Sequence, residues 1–314
     1  MIKFLTLSLL ILANLTSKNV NIIAPFCPFN DPGALKNLST YHHLTCTCPM
    51  HVNFNNLQLN LNSYDAYVFF DLIVDTPLPK DQKDKCILIN MEPRFYKPSY
   101  FDNYNQVYTW NDELIDHDKF IKLYYPVLEP MMTNIPSFID KKFCCMIASN
   151  WVSHRLDCLE YFTGYPNLLD VFGKNLPYKF SNSMIYKGPI TGGHSSNEKF
   201  EILKNYKYCL CFENTLNAKG YITEKIFHCF KSGCIPIYSG ASNVTDYIPD
   251  SCYIDLRKFP SYDDLITYLK SIDEEKYNRI LQNINNFLSS PQAQVFAYEN
   301  FENTIHKLIQ QTSK

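Results

Sequence analysis

The sequence has no hydrophobic run long enough to cross a bilayer as a helix. Across 314 residues the one strongly apolar stretch is Phe4 to Leu12, behind a single Lys3, whereas a helical span needs about 20 such residues. That length and flank predict a signal-peptide core, with residues 1–17 as a leader-like segment. The other reading, a first strand, is better met by "NVNIIAPF" (Asn19 to Phe26). A dense Lys/Arg run is also missing and the formal net charge is −2, so nothing attracts a polyanion and no nucleic-acid partner is expected. There is no internal repeat and no G-x-G-x-x-G string, which removes the main support for a dinucleotide-dependent dehydrogenase. The cluster "HHLTCTCPMH" (His42, His43, Cys46, Cys48, His51) has no regular C-x2-C or H-x3-H pairing. It reads as a local disulfide or a surface loop before it reads as a zinc site.

What is present is enough apolar material, 46% of residues with 15% aromatic, to build two cores. Twelve cysteines and N-x-[ST] sequons at Asn14, Asn37 and Asn243 suit a secretory lumen, Golgi or ER, with or without membrane association, better than the cytoplasm. Cys209 and Cys211 alternate along a hydrophobic strand, the usual setting of buried reduced thiols.

Aromatic and β-branched runs alternate with helical ones, as in stacked βαβ units. Strands are expected at Asn19 to Phe26, Ala66 to Leu72, Cys86 to Asn90 and Gln106 to Trp110. A second series runs from Phe143 to Ser149 through Leu168 to Gly173, "YKYCLCFE" (Tyr206 to Glu213), "CIPIY" and "CYIDL", with helices between. The Pro-marked segment Tyr125 to Phe138 separates the series. The expected architecture is α/β: two Rossmann-like, doubly wound domains, 18–138 and 139–314, facing a central cleft, with two helices after Glu274.

The stretch "FENTLNAKGYITEKIF" (Phe212 to Phe227) concentrates charge at a strand-to-helix junction. In open α/β sheets ligands sit beyond the carboxyl ends of strands, against the following helix N-termini. Glu213 and Asn214 then fall at a strand end, and Tyr221, Thr223, Glu224 and Lys225 around the first helical turn. A helix N-terminus plus a lysine suits a phosphate. Equally, an acidic first-turn residue is a routine macrodipole partner and the next lysine a routine solvated charge. "SNWVSHR" is a parallel arrangement, with Ser153 as N-cap and Arg155 able to grip two phosphate oxygens or to pair with Asp157 or Glu160 on its own helix.

"YKYCLCFENTLNAKGYITEKIFHCFKSGCIPIYSG" with "YIPDSCYIDLRKFPSYDDLITYLKSID" resembles the donor-binding signature of the α1,3-fucosyltransferases, glycosyltransferase family 10. A similar order of parts runs from about Ile87 to Asp273; the N-terminal half is similar only loosely. The resemblance implies a GT-B type, inverting enzyme that moves L-fucose from GDP-β-L-fucose to a glycan hydroxyl, with a lean toward α1,3 linkage to N-acetylglucosamine or glucose. It implies Tyr221 at the nucleoside, Lys225 and Arg155 at the diphosphate, Glu224 under the fucose ring, and Glu213, Asn214 and Thr223 shaping the same pocket. The alternatives are a GT-B enzyme using another nucleotide sugar and an inactive carbohydrate-binding relative.

The chemistry agrees with those roles: a departing diphosphate gains negative charge while the sugar takes on oxocarbenium character. Inversion in one displacement also needs a base for the acceptor's proton. "ILINMEPRFYKP" offers Glu92, where the family commonly has Glu-Ser-Pro and this chain has Met-Glu-Pro; the plain alternative is an exposed loop glutamate. Asp116-His117-Asp118 fits the metal-binding D-x-D pattern but follows a polar segment and reads as a solvated face. No cofactor is therefore expected, a divalent metal would be at most stimulatory, and no protein partner is implied.

Overall fold

The structure, a computed structural model, describes residues 19–23, 43–47, 66–71, 83–93, 98–191 and 196–311. The leader-like segment 1–17, Asn14, Asn37, and His42, Cys48 and His51 of the His/Cys cluster lie outside the described residues. The chain divides into two compact units, one holding the residues up to Tyr124 together with those from Tyr298 onward, the other Tyr125–Ala297.

The first unit carries a parallel sheet of β1 (Asn19–Ile23), β2 (His43–Thr47), β3 (Ala66–Phe70), β4 (Cys86–Asn90), β5 (Gln106–Thr109) and β6 (Phe120–Lys122), in the order β2-β1-β3-β4-β5-β6. Successive side chains of a strand point to opposite faces, and the core splits accordingly. Val68, Ile87 and Ile89 lie in one cluster, while Tyr67, Phe69, Cys86 and Leu88 lie in another. His43 and Cys46, read as part of a surface loop or a local disulfide, lie in β2 and not in a loop; β2 pairs in parallel with β1 from Asn19↔His43 to Ile23↔Thr47.

The second unit holds β7 (Lys142–Ile147), α1 (Ser153–Phe162), β8 (Asp170–Phe172), the single turn α2 (Tyr178–Ser181), β9 (Tyr186–Gly188), α3 (Asn197–Leu203), β10 (Tyr206–Phe212), α4 (Glu224–Lys231), β11 (Ile235–Ser239), β12 (Ile254–Asp255), α5 (Tyr262–Lys270) and α6 (Glu274–Leu288). Its sheet order is β12-β11-β10-β7-β8-β9, and its ladders are parallel. The chain grows from β7 through β8 to β9 on one side, then returns to place β10, β11 and β12 on the other. The reversal of order between β7 and β10 is the topological switch point, where a doubly wound sheet binds its ligand. The central strand β10 is almost wholly buried, as a strand covered on both faces must be. Cys209 and Cys211 are buried free thiols within it.

The last helix, α7 (Tyr298–Gln311), belongs with the first unit and not the second. Phe301 and Ile305, one turn apart, pack into the cluster of Val68, Ile87 and Ile89. The linker also differs from the expected one. Val127 and Leu128 donate backbone hydrogen bonds to Phe296 O (2.9 and 3.0 Å), and Met132 N donates to Lys231 O (2.8 Å). These bonds fasten the Pro-marked segment to the second unit, so the division falls after Tyr124 and not after Phe138.

Candidate active site

At the switch point β10 ends on Phe212, and Glu213 N continues the ladder by donating to Ser239 O (2.9 Å). The Glu213 side chain is fully buried. Its carboxylate accepts from Thr223 N (2.9 Å), from the Thr223 hydroxyl (2.8 Å to Oε2) and from Lys225 Nζ (3.0 Å). A buried carboxylate persists only when paired and hydrogen-bonded, and here one capping residue and one lysine satisfy it. Thr223 is the N-cap of α4, its hydroxyl accepting from Lys225 N.

Room for the Glu213 side chain comes from Gly240. A Cβ there would lie 2.5 Å from Glu213 Cγ and 2.4 Å from the Tyr238 hydroxyl. The loop between Glu213 and Thr223 is tied to the same segment: Asn217 N donates to Gly240 O (2.9 Å), Gly220 N to Asn243 Oδ1 (2.8 Å) and the Ser242 hydroxyl to Asn217 O (3.2 Å). Asn243, read as a sequon, thus holds the loop through its side-chain carbonyl.

Lys225 Nζ also lies 3.6 Å from Glu224 Oε1. Burial alone would lower the lysine pKa, but Glu213 and Glu224 together hold it above its ordinary value. Burial pushes Glu224 the other way, toward protonation, yet the charges of Lys225 and Lys199 overcome it and hold the carboxyl down at about 2. Glu224 is therefore ionised at neutral pH.

Arg155 is buried in α1 and pairs with neither Asp157 nor Glu160. Its guanidinium donates to Asn150 O and Phe212 O (2.5 Å each), bridging the ends of β7 and β10, while Glu160 pairs with Lys179 at 2.7 Å. Ser153 is the first helical residue of α1 and not its cap, which falls on Val152. Tyr221 is buried, its ring edge-on to Tyr125 at 6.1 Å. Asn214 is half-buried at the strand end.

In the first unit Glu92 follows β4 and is exposed. Its backbone is fixed from both sides: Met91 N and Glu92 N donate to Asp71 Oδ1 (2.7 and 2.8 Å), and Glu92 O accepts from Trp110 Nε1 (3.3 Å). An exposed side chain on a pinned backbone is a suitable form for a base. Asp116 of the D-x-D string caps its own turn, accepting from Asp118 N (2.9 Å) and Phe120 N (2.8 Å). Those bonds hold its pKa below the usual carboxylate range.

Sequence reasoning missed Asp71, Gly240, Lys199 and His228. Lys199 Nζ lies 2.9 Å from His228 Nδ1, joining α3 to α4 beside Glu224. Their signal in the sequence was faint, a lysine and a histidine 29 residues apart.

The two parallel-sheet units and the charged junction at the switch point define the class, a GT-B type α/β protein. A solved alpha1,3-fucosyltransferase with GDP-fucose shares this fold with a TM-score of 0.55 at 17% identity, over 95% of this chain and 91% of that one. Residues 139–307 match the family described as "Glycosyltransferase family 10 (fucosyltransferase) C-term", and the chain belongs to that family. An alpha-(1,4)-fucosyltransferase of Arabidopsis thaliana is 42% identical over 73 residues, 23% of this chain and 18% of the relative. An alpha-(1,3)-fucosyltransferase of Helicobacter pylori is 34% identical over 121 residues, 36% of this chain and 25% of the relative. The chain spans a quarter or less of the length of these two curated relatives.

Proposed function

We propose that the protein is an inverting fucosyltransferase that moves L-fucose from GDP-β-L-fucose to a glycan hydroxyl, forming an α1,3 linkage to N-acetylglucosamine or glucose. The observation that carries this reading is the buried Glu213–Thr223–Lys225 network at the end of β10, with ionised Glu224 and bridging Arg155 beside it. Family membership and the GDP-fucose-bound structural neighbour support the same donor.

In this reading the sugar C1–oxygen bond breaks with its electron pair leaving on the diphosphate. Lys225, Arg155 and the α4 N-terminus meet that charge, and the Glu224 carboxylate faces the cationic sugar. Glu92 takes the acceptor hydroxyl's proton as the new C1–oxygen bond forms on the opposite face. Asn214, Thr223 and Tyr221 shape the donor pocket. The cations answer the diphosphate directly, so a divalent metal would be at most stimulatory. The secretory-lumen placement rests on the apolar run and the sequons; among the described residues no helix is long and apolar enough to cross a membrane.

Calorimetric titration with GDP, GDP-fucose and UDP, on the wild-type chain and on Lys225→Ala, tests the donor. Binding of GDP but not UDP, weakened in the variant, is expected, and transfer to glycan acceptors should then follow. A folded protein that binds UDP in place of GDP would point to another nucleotide sugar. Donor binding with neither transfer nor hydrolysis would point to an inactive relative.

A further inference from the structure

We propose that Lys199 is a further residue of the donor site. Held by the imidazole of His228, its ammonium supplies a positive charge for the donor's diphosphate beyond those of Arg155 and Lys225. The inference rests on the GDP-sugar reading above.

Local charge makes the case. The two cations legible in the sequence, Arg155 and Lys225, stand against two carboxylates, Glu213 and Glu224. Lys225 Nζ lies 3.0 Å from one and 3.6 Å from the other, and Arg155 spends two donor groups on backbone carbonyls. Alone, those four groups carry no net charge, an unpromising host for a diphosphate. Lys199 breaks the tie. It comes from a third element, α3, and lines the same small cavity of about 30 Å³ as Arg155, Lys225 and Phe212.

Among the described residues Lys199 makes no ion pair with a carboxylate; its Nζ meets the Nδ1 of His228 at 2.9 Å. An ammonium can only donate, so Nδ1 accepts and the imidazole proton sits on Nε2. The neighbouring residue of α3, Phe200, packs edge-on to the same ring at 5.0 Å, so α3 grips His228 twice and the lysine is aimed rather than free. Burial and the nearby Lys199 charge push the imidazole down to about 3, which keeps it the neutral acceptor this geometry requires. The arrangement orients a cation without neutralising it. Such a charge, fixed in advance, stabilises the negative charge that grows on a leaving diphosphate.

The test compares wild type, Lys199→Ala, Lys199→Arg and His228→Phe by calorimetry with GDP, GMP and inorganic pyrophosphate, at two salt concentrations. Lys199→Ala should lose GDP affinity by about tenfold and bind GDP with a shallower salt dependence. Its GMP affinity should fall by less than about threefold. Lys199→Arg should recover most of the GDP affinity, and His228→Phe should lose a smaller part because the charge remains but is no longer aimed. If Lys199→Ala binds GDP as wild type does, the proposal is overturned while the donor reading stands. An equal loss for GDP and GMP with unchanged salt dependence would make Lys199 a packing residue and also overturn it. A wild-type protein that binds neither GDP nor pyrophosphate would remove the donor reading, and this proposal with it.

Discussion

Glu213 shows what a single residue can and cannot disclose in advance. The sequence placed a glutamate at a strand end and a lysine in the next helical turn, which suggested a phosphate ligand beside a helix-dipole partner. Only the fold reveals that these two pair at 3.0 Å with the carboxylate fully buried, because pairing depends on how tightly Gly240 lets the strand end approach α4. Removing one partner of such a pair leaves an uncompensated buried charge. Lys225→Ala should therefore lose about 3 kcal/mol of stability as well as donor binding. The double variant Glu213→Gln/Lys225→Ala should regain much of the stability and none of the binding. Urea unfolding with GDP titration reads both; a double variant no more stable than the single one would refute the pairing argument. His228 gives a second residue-level expectation. Its folded pKa is depressed, to about 3 from 6.5, so its contribution to stability is full above pH 6.5 and is lost as the pH falls through that window. Between pH 7 and pH 5 the loss is about 2 kcal/mol. Replacement by Gln should flatten the urea-unfolding pH profile over that range, and an unchanged slope would show that the imidazole titrates normally.

At the level of elements, legibility followed length and burial. β10, seven residues long and almost wholly buried, was plain as a hydrophobic run, and the switch-point rule then located the site. β2, β6 and β9 were not read as strands. Two of them have only three residues, too few to show a period, and their ladders depend on partners far along the chain. The loop between Glu213 and Thr223 was read for its charges, not for its shape. Its backbone runs through positive φ at Asn217 (61°) and Gly220 (82°), and its bonds to Gly240, Ser242 and Asn243 fix it. Gly240→Ala should therefore disturb the donor end of the sheet more than the size of a methyl suggests. The added carbon meets Glu213 Cγ and the Tyr238 hydroxyl at 2.5 and 2.4 Å, both belonging to buried side chains. Overpacking of this kind costs about 1–3 kcal/mol, and here the displaced group is the carboxylate that anchors Lys225. GDP affinity should fall more steeply than thermal stability across Gly240→Ala and Gly240→Ser; unaltered affinity in both would mean that Glu213 has another place to go.

On the scale of the whole molecule, two parallel-sheet units were readable from alternating strand and helix patterns, but the return of the last helix to the first unit was not. An amphipathic helix announces that it has an apolar face, never which sheet covers it. Here Phe301 and Ile305 settle the matter by packing with Val68, Ile87 and Ile89 of β3 and β4, so the first unit is built from two distant parts of the chain. Its stability should then depend on residues that sequence order assigns to the other unit. Phe301→Ala removes a side chain only 6% exposed, and such truncations typically cost about 3–5 kcal/mol. In the 314-residue chain, Phe301→Ala/Ile305→Ala should collapse hydrogen-exchange protection in β3, β4 and β5 while β7, β10 and β11 keep theirs. GDP should still bind, because the proposed donor groups all lie within Tyr125–Ala297, but transfer should fail because the proposed base, Glu92, follows β4. Loss of protection spread evenly over both sheets would mean that the two units unfold as one, and that the division at Tyr124 and Tyr298 has no energetic counterpart.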